Sequence, residues 1–114
     1  MAWRIEFSAD AEQDFSLIFD HLFESYLSFG DDRDRAFERA EKRLEEIIVS
    51  AENLCTAPRR GTLHDNILQG LRHVTIDQAI FWFDLDEEQK KVKILAVFYG
   101  GQDHIRHMLV RLLN

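Results

Sequence analysis

"LRHVTIDQAIFWFDLDEEQKKVKILAVFY" (Leu71–Tyr99) decides the fold. It contains three runs rich in β-branched and aromatic residues, Leu71–Ile76, Ala79–Asp86 and Val92–Tyr99. Two short polar links separate them, "DQ" and "EEQKK", of the kind that close hairpins. The run therefore reads as an antiparallel meander of three strands. Within it, "FWF" (Phe81–Phe83) alternates faces, so Phe81 and Phe83 point one way and Trp82 the other.

Upstream, "DDRDRAFERAEKRLEEIIVSAENL" (Asp31–Leu54) reads as a helix. Acids open it at the positive end of the helix dipole, and Phe37, Ala40, Leu44, Ile47, Ile48, Ala51 and Leu54 form its stripe. Before it, Ala11, Phe15, Ile18, Phe19, Leu22 and Tyr26 mark another helix, capped by Ser8 and ended by Gly30. The tight glycine turn makes the two an antiparallel hairpin. "WRIEF" (Trp3–Phe7) is a short strand ahead of them. Downstream, "DHIRHMLVRLLN" places Ile105, Met108, Leu109 and Leu112 on one helix face, with Asp103 as N-cap. The order β-α-α-β-β-β-α predicts an α+β fold with the helical hairpin packed on a four-stranded, mainly antiparallel sheet and a short C-terminal helix.

The 114 residues suit a single domain spanning 1–114, and 46% hydrophobic content with nine phenylalanines supplies its core. The formal charge is −7, with the acidic excess in the N-terminal half and a mildly basic C-terminal half. A free nucleic-acid binder is usually basic, because phosphate neutralisation supplies most of its affinity, so no direct nucleic-acid contact is expected. One cysteine, Cys55, allows no internal disulfide and points to a reducing, cytoplasmic setting. No apolar run is long enough to span a membrane, and no secretory signal is visible. His104 and His107 lie three apart, and with His73 and Cys55 they lack metal-ligand spacing; neither metal nor cofactor is expected.

Between the second helix and the meander lies "TAPRRGTLHDNILQGLR" (Thr56–Arg72). It holds the only proline, two of the five glycines and three arginines. Pro58 stops the helix, and Gly61 and Gly70 let the chain turn back. Arg59 and Arg60 read equally well as solvated loop charges or as a functional pair.

Together these residues resemble the RelE/ParE superfamily of toxins from bacterial type II toxin–antitoxin modules. The likeness covers nearly the whole chain, from "IEFSADAEQDFSLIFDHL" to "YGGQD". "PRRG" followed by "NILQGLR" is similar to the family's proline-arginine-glycine loop and Gly-Leu-Arg strand start. "IFWF" and "VKILAVFYGGQD" resemble its last two strands and their glycine-rich exit. The resemblance implies a cytoplasmic toxin of a plasmid-stabilisation type of module, neutralised by a cognate antitoxin. The antitoxin would wrap it, using an open strand edge and the outer faces of the two N-terminal helices.

The family's two branches imply different chemistry. RelE-like members cleave mRNA in the ribosome, which requires a base, an acid and cations around the phosphate. ParE-like members poison DNA gyrase and need no catalytic set. This sequence carries Trp82-Phe83 where many relatives have an aromatic-arginine pair, Ala96 and Gln102 where they have arginines, and Tyr99 in place of a histidine. If it were an enzyme, it would be a metal-independent endoribonuclease using Arg60, Arg72 and Tyr99. A tyrosine serves there only if neighbouring cations lower its pKa from about 10. Each lost acid–base group removes about 10²–10⁴ in rate. The departures and the charge favour the gyrase-directed reading. A degenerate member that only binds antitoxin is the third reading. The residues that would meet a target are Arg59, Arg60, Arg72, Trp82, Tyr99 and Arg106, with His73 as an adjunct. Trp82 joins them if its sheet face is open. The "MLVRLL" stripe needs a surface, which favours that face being covered by the last helix.

Overall fold

The structure is a computed structural model and describes residues 2–100 and 103–113. Strand β1 (Arg4–Phe7) leads into α1 (Ala9–Ser28), and α2 (Arg33–Ala51) runs on into a 3-10 turn at Glu52–Cys55. The meander is β3 (Arg72–Ile76), β4 (Ala79–Asp86) and β5 (Lys91–Tyr99), and α3 (His104–Leu113) closes the chain. One element was not expected. Thr62–Leu63 form β2, which pairs antiparallel with β3, so the sheet has five strands rather than four, in the order β1-β5-β4-β3-β2. Two residues framed by loop are too short to show an alternating pattern, which is why β2 is silent in the sequence.

Local chemistry sets these elements as their residues predict. The Ser8 hydroxyl accepts from the Ala11 N–H at 3.0 Å and donates to the Leu95 carbonyl at 3.1 Å. The cap of α1 is thereby tied to a bulge in β5, where the register slips between Trp82 and Phe83 of β4. The Asp32 carboxylate caps α2 through the Arg35 N–H at 2.8 Å. Asp77 and Gln78 both take positive φ, 55° and 72°, as a two-residue hairpin turn requires. Gly61 has φ 91°, and a Cβ there would stand 2.4 Å from the His73 carbonyl oxygen. The turn demanded of this loop therefore needs glycine for both backbone angle and space.

The two sheet faces are unequal. Phe81, Phe83, Val92, Ile94 and Val97 pack under α1 and α2 with Phe15, Ile18, Leu22 and Ile47. The other face carries a smaller core of Leu71, Ile80, Trp82, Ala96 and Met108, closed by α3. Trp82 is fully buried. The open-face tryptophan is thus excluded, and Trp82 has no free surface to offer a partner. Of the α3 stripe only Met108 is buried; Ile105, Leu109 and Leu112 remain 43%, 39% and 39% exposed. The helix rests on the sheet by one edge of its stripe. The Asp103 carbonyl accepts from the His107 N–H at 3.0 Å, so Asp103 does stand at the start of α3. Gln102 lies outside the described residues.

Candidate functional site

The residues singled out in the sequence fall into three places. At the loop, Arg59 ion-pairs with Glu87 of the β4–β5 turn, and its guanidinium lies 5.7 Å from the Trp3 ring centroid. Arg72, the first residue of β3, donates from Nη1 to the Arg59 carbonyl at 3.0 Å. Arg60 is exposed beside them. Arg59 and Arg72 are thus joined at the loop, and Arg60 is exposed next to Arg59 in the chain.

Tyr99 sits elsewhere. Arg72 pairs with Phe83 of β4, whereas Tyr99 pairs with Ala79. Four residues of strand separate the two registers, about 13 Å along the sheet, with a further strand between them. The fold therefore does not gather Arg60, Arg72 and Tyr99 around one phosphate. Tyr99 has its own neighbours, none of them visible in the sequence. The Arg43 guanidinium of α2 lies 5.8 Å from its ring centroid, and the His21 ring of α1 lies 6.2 Å away. Arg43 is also bonded to the Asp77 carboxylate at 3.0 Å and to its carbonyl at 2.7 Å. Interaction with the Tyr99 hydroxyl, against burial and with help from Asp77, raises the Arg43 pKa and keeps it charged.

Tyr99 closes one end of an open groove of about 320 Å³ between α1, the end of β5 and α3. Leu17, Ile18, Val97 and Phe98 supply its apolar lining, and His21 and His107 stand among them. Its charged members, Asp14 and Arg111, are engaged with each other. The Asp14 carboxylate is 3% exposed, accepts from the Val97 N–H at 2.9 Å, and takes both terminal nitrogens of Arg111. Bonding to Asp14, opposed by burial, raises the Arg111 pKa. Both guanidiniums near Tyr99 thus already have carboxylate partners. The groove offers an apolar lining with imidazoles, which suits a protein side chain better than a phosphate.

The third place is the α3 side of the sheet. His73 of β3, His64 of the loop and His104 of α3 lie against Trp82, with ring centroids 4.9, 4.8 and 5.5 Å from it. His64 Nε2 and His73 Nδ1 are 2.6 Å apart. Arg106 is exposed on α3 and shares a shallow surface depression with His104. Among the described residues no three His, Cys, Asp or Glu side chains are arranged to hold a metal ion. Cys55 is half-buried, and burial followed by the Glu52 charge raises its pKa, away from the nucleophilic thiolate.

No protein-family model and no curated protein matches this chain. Solved structures do. A chain of the chromosomal ParDE TA system from P. aeruginosa aligns over 88% of this chain and 98% of its own length, at TM-score 0.64 and 19% identity. The chain has the RelE/ParE fold. A chain of the toxin–antitoxin complex RelBE2 from Mycobacterium tuberculosis aligns over 87% and 99%, at TM-score 0.51 and 14% identity. At 19% and 14% identity the likeness is one of backbone, and most side chains on it are this chain's own.

Sequence reasoning missed Asp14, His21, Arg43, His64 and Arg111. One of them left a signal. Asp14 falls between Ala11 and Phe15 on the buried stripe of α1, where a carboxylate must have a partner. The others lie at unremarkable helix or loop positions and acquire meaning only through contacts with other elements, from nine residues away for His64 with His73 to ninety-seven for Arg111 with Asp14.

Proposed function

We propose that this chain is the toxin of a type II toxin–antitoxin pair, a cytoplasmic protein held inactive by a cognate antitoxin. The observation that carries this reading is the RelE/ParE fold, matched over nearly the full length of a chain from a ParDE system. We further propose that it acts by binding a protein target, DNA gyrase, as the ParE-like branch does. The separation of Arg72 from Tyr99 supports binding over RNA cleavage, as do the paired guanidiniums at Tyr99 and the charge of −7. Arg59 and Arg60 of the loop, Arg72 at the start of β3 and Arg106 on α3 are the residues we assign to target contact. The acidic outer face of α1, the exposed face of α2 and the short edge strand β2 suit an antitoxin segment that adds a strand and lays down a helix.

A second reading is favoured by one observation, the hydrogen-bonded pair of His64 and His73. Adjacent imidazoles can divide acid and base roles, as an endoribonuclease requires. Induction of the chain alone in a bacterial host, with viable counts and an SOS reporter, separates the readings. Killing with SOS induction, followed by inhibition of supercoiling by purified protein, supports gyrase. Killing without SOS, with cut mRNA in translating extracts, moves the function to the histidines. Undiminished viability with soluble protein present leaves an antitoxin binder without toxicity.

A further inference from the structure

His64, His73 and His104 come from three different elements and meet on one indole. The His64 and His73 centroids are 4.8 Å apart, and those of His73 and His104 are 4.7 Å apart. The 2.6 Å contact between His64 and His73 is a hydrogen bond only while one nitrogen carries a proton and the other a lone pair. Beneath the stack, Trp82 is fully buried. The N-terminal turn of α3 therefore sits on imidazole rings, while the rest of α3 is held by Met108 and by Arg111 on Asp14.

Charge is accommodated unevenly in such a stack. One proton leaves the His64–His73 bond in place and sets a cation near the Trp82 ring, a favourable arrangement. A second proton makes both nitrogens donors or places two cations within 5 Å. His104 is also the first residue of α3, where the helix dipole opposes a positive charge. The neighbouring charges do not offset this. Asp65 accepts from the Gly70 N–H, Asp84 faces Lys93 across the β4–β5 pair, and Asp103 is exposed to solvent. Among the described residues no carboxylate forms an ion pair with any of the three histidines.

We propose that the His64–His73–His104 stack is a pH-operated release for the start of α3: entry of a second proton lifts the first turn of α3 from Trp82 and opens the indole to solvent. The release is a property of this stack and does not depend on the toxin reading. Burial, then the charges of His104 and His64, hold His73 below its ordinary 6.5, and burial, then His64, lower His104. The release therefore belongs below pH 6.5.

The test uses a Trp3→Phe variant, in which Trp82 is the sole tryptophan. Acrylamide quenching and far-UV circular dichroism are followed together from about pH 8 to about pH 5. Quenching is expected to rise several-fold below pH 6.5 while the circular dichroism is retained. A His64→Gln, His73→Asn double substitution, which hydrogen-bonds without titrating, is expected to abolish the rise. Shielding of Trp82 throughout, a rise that coincides with loss of circular dichroism, or a rise that survives the double substitution each overturns the proposal. Hydrogen exchange of the unsubstituted chain checks it without mutation. Exchange in residues 103–113, corrected for intrinsic rate, is expected to accelerate below pH 6.5 while that of β4 does not. Equal protection of α3 at both ends of the pH range overturns it.

Discussion

Replacing Asp14 by alanine removes the joint at which α1, β5 and α3 meet. The carboxylate is 3% exposed and receives the Val97 N–H and two Arg111 nitrogens. Without it, the Val97 N–H is buried and unpaired, a loss of about 1–3 kcal/mol. The charge-assisted bonds to Arg111 are worth a further 1.5–3 kcal/mol or so in a buried setting. The Arg111 side chain is 31% exposed, so its guanidinium regains water and this second contribution falls to the low end. The sum is about 3 kcal/mol, which lowers Tm by about 12 °C for a chain of this size. Urea unfolding of Asp14→Ala, Arg111→Ala and the double variant measures both the loss and the coupling, expected at about 1–2 kcal/mol. A loss below about 1 kcal/mol in Asp14→Ala, or strictly additive single losses, would refute the reasoning that this pair anchors α3.

Gly61→Ala and Gly30→Ala form a controlled comparison. Both positions have positive φ, 91° and 105°, but only at Gly61 does an added Cβ meet the His73 carbonyl. Gly30→Ala is expected to lower unfolding free energy by about 1–2 kcal/mol, and Gly61→Ala by visibly more in the same urea titration. Asp84 carries a pKa above the usual carboxylate value, chiefly through burial, with Lys93 opposing and Asp86 adding. Its ionised form is therefore worse off folded than unfolded. Asp84→Asn should stabilise the chain at neutral pH, and thermal melts should show that gain shrinking as pH falls through the raised pKa. Arg59 and Glu87 are 58% and 55% exposed, so Arg59→Ala should shift stability by under about 1 kcal/mol. The same variant should relieve growth arrest on induction; arrest at full strength removes Arg59 from target contact.

The sequence by itself determined the frame. Ser8, Gly30, Pro58 and the alternation from Leu71 to Tyr99 act through neighbours a few residues away, so caps, breaks and strands are legible in chain order. The RelE/ParE resemblance followed from that order, and β2 alone escaped it because two residues carry no period. Tertiary structure decided everything that depends on contacts between distant residues. It buried Trp82 beneath α3, set Arg72 and Tyr99 at different registers of β4, and gave Tyr99 the company of His21 and Arg43. It also joined Asp14 to Arg111 and stacked three histidines from separate elements on one indole. Hydrophobic period fixes which face of an element is buried, but not which partner a polar side chain finds. That depends on the sheet's register and on where the last helix comes to rest, and both are properties of the packed chain.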